Sequence, residues 1–167
     1  MVTEINNLAP FIEDNYREIN VREYARLKKI SPPHASKILK NLTKQKLLKF
    51  REERRNFLFK ANRESKILLE ITKIYWELKL EKLIFLLNEK TYANTITLFG
   101  PLSKLENTPK SDIDIAIFGR EKEINLKKLE KEYKRKIQLF FFENIDKTPK
   151  NLKLAILNGH RLKGTLT

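Results

Sequence analysis

Residues 111–118, with the sequence SDIDIAIF, constrain the fold of this chain more than any other segment. Successive side chains of a β-strand point to opposite faces, so Asp112 and Asp114 share one face while the isoleucines share the other. Two carboxylates at this spacing lie within about 7 Å and repel each other unless a cation lies between them. The segment therefore predicts a buried strand that carries a metal-binding carboxylate pair.

The chemistry that suits such a pair is metal-dependent phosphoryl transfer. Divalent ions hold both the attacking and the leaving oxygen of that reaction, and Mg²⁺ prefers carboxylates combined with substrate phosphates. The chain has no cysteine and only two histidines, so no cluster of softer ligands competes for this role. We predict that Asp112 and Asp114 are the metal-binding and catalytic residues, with Mg²⁺ as the cofactor.

The segments around this pair predict a small unit of helices and strands. An apolar strand at 94–99 precedes a polar loop, and the aspartate strand is followed by a helix at 124–136, a strand at 137–142 and a last helix that stops at Gly159. Such an order predicts three to four strands with helices packed against them.

The order of strand, Gly100, loop and Ser-Asp-Ile-Asp resembles the nucleotidyltransferase superfamily of the DNA polymerase beta type, especially its small prokaryotic members. The resemblance spans about residues 79–162. It implies that Asp112 and Asp114 bind Mg²⁺ and that an NTP is held at the turn formed by Gly100 and Pro101, with Ser111 beside it. It also implies a small helical, toxin-like partner protein, because members of this kind often act as antitoxins.

Three positions depart from the pattern of that family. Pro101 replaces a serine and offers neither a hydroxyl nor an N–H to a phosphate. Lys104-Leu105 replaces an Arg-Gly pair, and Gln138 stands where a third carboxylate is expected to activate the attacking hydroxyl. Glu143 falls on the opposite face of its strand from Gln138. We therefore expect a degenerate domain that senses nucleotides or binds a partner; the alternative is an active Mg²⁺-dependent enzyme that moves NMP from NTP to a protein or small-molecule hydroxyl.

Positive charge is concentrated in one stretch of the first half. The chain has a net charge of +14, and residues 28–60 contain 11 Lys or Arg against two acids, Glu52 and Glu53, which leaves +9 (11 − 2) there. A focused basic segment favours a polyanionic partner, DNA or RNA, and the helix-and-hairpin pattern described next favours double-stranded DNA. A solubilising surface and an RNA-binding module are the alternatives.

Residues 1–62 predict three helices followed by a β-hairpin. The helices are expected at about 4–16, at 21–29 with Asn20 as its cap, and from Pro32 after Ser31. Residues 47–61 then alternate apolar and polar side chains around a charged tip. The run INVREYARLKKISPPHASKILKNLTKQKLLKF resembles the winged helix-turn-helix segment of prokaryotic transcription factors, although its turn, KKIS, lacks the glycine that many relatives have.

A recognition helix presents its first turns to base edges, and a wing contacts phosphates or the minor groove. The resemblance therefore implies DNA contacts from two sets of side chains. They are Pro33, His34, Ser36, Lys37 and Lys40 on the third helix, and Arg51, Arg54 and Arg55 on the wing.

Residues 63–90 predict one long connecting helix, because neither Gly nor Pro occurs between Pro33 and Gly100. Ile67, Ile71, Ile74 and Leu78 form one stripe, which we expect to pack against its own domain, with a homodimer as the alternative. The fold class is thus α+β, in three parts: a winged helix-turn-helix domain (1–62), a connecting helix (63–90) and a nucleotidyltransferase-like domain with a small mixed sheet (91–167).

The apolar runs are too short to cross a bilayer, and the N-terminus lacks the pattern of a secretory signal. We therefore expect a cytoplasmic protein without a membrane partner. Taken together, these patterns predict a DNA-binding transcriptional regulator.

Overall fold

The structure is a computed structural model that describes residues 2–165, with side chains described from residue 4 onward. Within that range it has seven helices and seven strands, so the architecture is α+β as predicted. The chain forms two compact units. Unit 1 comprises the chain up to Ile71 together with Leu105–Thr108, and unit 2 comprises Thr72–Lys104 and the chain from Pro109 onward.

The first helix of unit 1, α1 (Val2–Ile12), ends before the predicted end at Tyr16 and continues through Pro10. Proline lacks an N–H, which leaves the carbonyl of the residue four positions earlier without its helical partner. The Lys28 ammonium donates to that carbonyl, on Asn6, at 2.7 Å. An outside donor therefore allows the helix to include the proline, and Lys28 has a structural role.

Three short elements follow: β1 (Ile19–Asn20), α2 (Val21–Lys28) and α3 (Pro32–Lys44). Asn20 caps α2 as predicted, since its side-chain oxygen accepts a hydrogen bond from the Glu23 N–H at 2.9 Å. The third helix begins at Pro32, directly after Ser31, also as predicted. Its buried side consists of Ala35, Leu39 and Leu42.

The predicted hairpin is formed by β2 (Leu48–Glu53) and β3 (Asn56–Ala61), which pair in antiparallel register with Phe50 opposite Phe59. Arg54 and Arg55 form the two-residue turn, with φ of 45° and 62°. Positive φ at both positions is the geometry that hairpins usually reach with Asn-Gly. The short strand β1, which the sequence did not indicate, pairs with β3 and completes a sheet of order β1-β3-β2.

The segment predicted as one connecting helix forms two, α4 (Lys66–Lys79) and α5 (Glu81–Thr91), with Leu80 between them. Their buried side chains include Leu68, Trp76, Leu80, Leu83 and Leu87. The predicted stripe lies on another side of α4: Ile67 is 64% exposed, and Ile74 and Leu78 are also exposed. The expectation that this stripe packs against its own domain is therefore wrong, because the aromatic and leucine side chains supply the buried face instead.

Unit 2 is built on a four-stranded mixed sheet of order β6-β5-β4-β7. The strands are β4 (Thr95–Phe99), β5 (Ile113–Phe118), β6 (Ile137–Phe142) and β7 (His160–Lys163). Strands β4 and β7 run antiparallel to their neighbours, whereas β5 and β6 are parallel. Two further helices are α6 (Lys127–Tyr133) and α7 (Lys150–Leu157). The three strands predicted from the sequence are present, and β7 is an addition.

Both faces of β5 are covered, which explains its nearly unbroken apolar sequence. Ile113, Ile115 and Ile117 are fully buried on one side, as predicted. On the other side, Ala116 and Phe118 belong to a cluster that includes Phe99 and Ile156, with Phe140 and Phe142 packed against it. Polar groups on this second side occur only where β5 begins, at Asp114 and at Asp112 directly before the strand.

No helix in the described part of the chain combines the length and the apolar character that a membrane span needs.

Candidate functional site

The predicted carboxylate pair lies where β5 begins. Asp114 is in β5, Asp112 directly precedes that strand, and both side chains are partly buried. Gln138 lies opposite Asp114 in the parallel register of β5 and β6, and its amide Nε2 donates to Asp112 Oδ2 at 2.6 Å. The structure thus brings together, on one face of the sheet, the two aspartates and the glutamine at the position where a third carboxylate was expected.

Within residues 2–165, no group of three or more His, Cys, Asp or Glu side chains is placed to hold a metal ion. Glu143 follows the end of β6, at an odd number of residues from Gln138. The charged ligands available at the sheet face are therefore the two aspartates. They suit a hard divalent cation such as Mg²⁺, with the remaining ligands left to water and to phosphate oxygens.

The electrostatics of the pair favour a cation. Burial, and after it the negative charge of Asp112, together raise the pKa of the Asp114 carboxyl to about 6. Near neutral pH the Asp114 carboxylate is charged at a cost to the fold, and a bound cation would offset that cost.

The turn after β4 is shaped around Asp114. Gly100 has φ +72° and ψ −157°, a combination that residues with a side chain rarely adopt, and a Cβ there would overlap Asp114 Oδ2. The residue before it, Phe99, lies opposite Asp114 in the antiparallel register. The Asp114 carboxylate therefore packs directly against the backbone of Gly100, in the space that a side chain would fill.

We expect Gly100→Ala to lower the free energy of unfolding by roughly 2–3 kcal/mol, from backbone strain and the displaced carboxylate. Urea denaturation followed by circular dichroism measures this. Gly119→Ala is the matched control, because φ at Gly119 is not positive and its Cβ would meet Ala93 Cα at 3.2 Å, a tight but adjustable contact. Equal effects of the two substitutions would contradict this account of Gly100.

The loop after Gly100 has an internal hydrogen-bond pattern. Pro101–Ser103 forms a short 3₁₀ turn, and the buried Ser103 hydroxyl donates to the Gly100 carbonyl at 2.9 Å. That hydroxyl is committed to the loop, so Ser103 does not replace the serine that Pro101 displaces. Leu105, at the position where the resemblance leads one to expect a glycine, adopts φ +56°. The backbone there is left-handed although the residue carries a side chain.

Arg135 is a site residue that the sequence did not single out. Its side chain is buried, with the residue only 8% exposed, and its Nη1 donates to the Ser111 carbonyl at 2.6 Å. Its guanidinium carbon lies 5.3 Å from the ring centre of Trp76. Arg135 therefore holds the backbone that leads into Asp112. It stands in the run KRK, where nothing in the sequence separates it from solvent-exposed neighbours.

The side chains predicted to contact DNA lie in unit 1, on α3 and on the hairpin. On α3, Pro33, His34, Lys37 and Lys40 are exposed and Ser36 is partly buried. Arg54 and Arg55 are exposed at the tip of the hairpin. The side chains predicted to contact DNA thus lie in two places, the first turns of α3 and the tip of the hairpin.

Arg51 differs from the other predicted DNA contacts. Its guanidinium binds Glu18 at 2.6 Å and Glu53 at 2.9 Å. Two neighbouring lysines are also paired: Lys60 with Glu18 at 3.7 Å, and Lys49 with Glu64 at 2.8 Å. Across residues 2–165, Lys37, Lys40 and Lys44 of α3 form no ion pair. The unneutralised charge therefore lies on α3 more than on the strands of the hairpin.

A comparison with protein families matches residues 81–165 to the family described as polymerase beta, nucleotidyltransferase. This range covers β4 to β7 and includes the aspartate pair, Gly100 and Gln138. No curated protein and no solved structure matches the chain. Because the family match covers half of its length, the chain belongs to the polymerase beta-like nucleotidyltransferases.

Proposed function

We propose that this protein is a DNA-binding regulator whose nucleotidyltransferase domain binds a metal–nucleotide complex without efficient transfer. The observation that supports the second part is that Gln138 lies beside Asp112 and donates its amide to it, while no third carboxylate joins the pair among the described residues. A general base is worth about 10²–10⁴ in rate, and an amide side chain does not act as one. A site of this kind therefore keeps its affinity for a metal–nucleotide complex while the rate of nucleotidyl transfer falls.

Mg²⁺ would be held by Asp112 and Asp114, and it would neutralise the phosphate oxygens of an NTP. The residues of this chain supply the rest. Gly100 leaves room beside Asp114, and Arg135 fixes the backbone at Ser111. These groups serve nucleotide sensing as well as they serve transfer.

The proposal of DNA binding rests on the order of helices and hairpin in unit 1 and on its charge. Three helices followed by a hairpin is the order of a winged helix-turn-helix, in which α3 would be the recognition helix. The lysines of α3 have no acidic partner among the described residues, which leaves them for phosphates. The arginine turn supports a wing, since two non-glycine residues with positive φ are a strained choice unless their side chains are used.

DNA binding is tested with the double variant Arg54→Asn/Arg55→Gly. It removes two charges and installs the turn sequence that suits the observed backbone, so we expect the fold to gain stability while DNA affinity falls. The slope of log K against log salt should shrink by about 2, since each phosphate contact contributes about 0.9. Fluorescence anisotropy with duplex from the upstream region of the gene, at several salt concentrations, measures the slope.

Arg51→Gln is the matched control for this experiment. Because Arg51 is paired with Glu18 and Glu53, its removal should change the salt slope much less than the turn variant does. A turn variant that is well folded and keeps the wild-type slope would overturn the proposed wing.

A second candidate function is an active nucleotidyltransferase with unit 1 as its targeting device. The intact pair of Asp112 and Asp114 beside Gly100 favours it. Metal-dependent transfer of label from an NTP, lost in the Asp112→Ala/Asp114→Ala variant, would establish this function. Nucleotide binding without transfer would support the sensing role instead.

A further inference from the structure

The two faces of the hairpin in unit 1 carry different chemistry. Lys49, Arg51 and Lys60 share one face, and all three are paired with glutamates. The other face alternates with this one, and it carries Leu48, Phe50, Glu52, Phe57, Phe59 and Ala61. Glu52 is the one acidic residue on that face, and it does not line the groove described below. One face is thus electrostatically satisfied, whereas the other presents aromatic rings.

The rings form an exposed cluster. Phe50 and Phe57 are 54% and 44% exposed, and their centroids lie 5.6 Å apart in an edge-to-face arrangement. Phe59, which is buried, lies 6.0 Å from Phe50. Together they line one side of a groove of about 310 Å³, whose lining residues are Lys40, Thr43, Lys44, Phe50, Phe57 and Phe59. A contiguous exposed apolar patch rimmed by polar residues is typical of a binding site.

The opposite side of the groove is the C-terminal half of α3. Thr43 uses its hydroxyl within the helix, where it donates to the Leu39 carbonyl at 2.9 Å. Lys40 and Lys44 supply two ammonium groups, and none of the described lining residues is acidic. The groove therefore combines flat apolar rings with positive charge. A second copy of the chain would bring like charges together, so the occupant is an anion that also has a flat apolar part.

We propose that this groove binds unpaired nucleotides of DNA, with bases stacked on Phe50 and Phe57 and phosphates on Lys40 and Lys44. Stacking on aromatic rings beside a basic track is how proteins hold single strands without reading their sequence. The inference rests on the proposed DNA binding and extends it. Because Lys40 also belongs to the predicted DNA-contacting face of α3, the same surface serves duplex DNA and an opened stretch within it.

The test compares a blunt duplex with the same duplex containing a short central stretch of thymine mismatches. Phe50→Leu/Phe57→Leu removes the rings but keeps apolar side chains, and Phe50→Tyr/Phe57→Tyr keeps the rings. We expect the leucine variant to lose about tenfold or more in affinity for the mismatched duplex, with little change for the blunt one. The tyrosine variant should bind both as the wild type does. Anisotropy measures affinity, and thermal melting checks the fold.

Equal effects on both duplexes, or none on either, would overturn this inference and leave the proposed DNA binding standing. If the wild type binds neither duplex, both the proposed DNA binding and the proposed nucleotide site in the groove are wrong. If the leucine variant does not fold, quenching of a Phe57→Trp variant by the mismatched duplex but not by the blunt one gives the answer. An acidic amphipathic peptide serves as the alternative probe. If the leucine variant loses affinity for this peptide but binds the mismatched duplex as the wild type does, the groove is a site for a protein partner instead.

Discussion

Replacement of Gln138 by glutamate is expected to restore the missing carboxylate and, with it, transferase activity. Gln138 already lies in register with Asp114 and within hydrogen-bond distance of Asp112. We expect Gln138→Glu to bind Mn²⁺ about tenfold more tightly, because affinity for hard cations rises with the charge of the ligand set. Pyrophosphate release from an NTP should become roughly 10²-fold faster or more, the usual contribution of a general base. Mn²⁺ titration and a coupled pyrophosphate assay measure the two effects.

Two controls separate restored chemistry from a general electrostatic effect. Gln138→Leu removes the amide without adding charge, so neither metal affinity nor pyrophosphate release should rise. Glu143→Gln removes a nearby carboxylate that follows β6, and the wild-type metal affinity should be retained. If Gln138→Glu binds metal no better than wild type, the assignment of position 138 as the third ligand position is wrong. If wild type already releases pyrophosphate as fast as the variant, the degenerate interpretation falls instead.

The site was predictable from the sequence because its residues are close along strands of regular period. The alternation in residues 112–118 placed both aspartates on one face, and the resemblance placed Gln138 beside them on the following strand. The structure agrees with each of these placements. The partners that hold the site are distant in sequence. Arg135 donates to the Ser111 carbonyl, which is 24 residues away in the sequence, and no local sequence pattern predicts such a contact.

The same limit applies to the fold. Regular elements with caps and alternation, such as α2, α3 and the hairpin, were predicted close to their observed bounds. Strand β7, with the sequence HRLK, has no apolar run, and it becomes a strand by pairing with β4. Helix α4 was predicted correctly as a helix but with the wrong side buried. Both of its sides carry apolar residues, so periodicity alone did not decide between the isoleucine stripe and the side with Trp76.

An Asp114→Asn variant is expected to be more stable than wild type at neutral pH and unable to bind Mg²⁺. Burial and the nearby Asp112 raise the pKa of Asp114 to about 6 in the folded protein, against 3.8 as the ordinary value. Between these values the folded state holds a proton that the unfolded state has released, so wild-type stability falls as pH rises through this window. Above it, about two pKa units at 1.36 kcal/mol each would cost about 3 kcal/mol in full, and solvent screening of the half-buried carboxyl reduces this to about 1–2 kcal/mol. The uncharged amide avoids that cost.

The pH profile distinguishes this cause from any general effect of the substitution. The stability difference between Asp114→Asn and wild type should be about 1–2 kcal/mol at neutral pH and should shrink toward zero as pH falls below the ordinary carboxyl pKa. Asp146→Asn is the opposite control, because Lys153 at 2.8 Å lowers the pKa of the exposed Asp146; its removal should slightly destabilise the fold at neutral pH. Mg²⁺ should raise the melting temperature of wild type and of Asp146→Asn but leave Asp114→Asn unchanged. A variant no more stable than wild type at neutral pH would show that the aspartate pair carries no such cost, and the electrostatic argument for a cation at this site would fail with it.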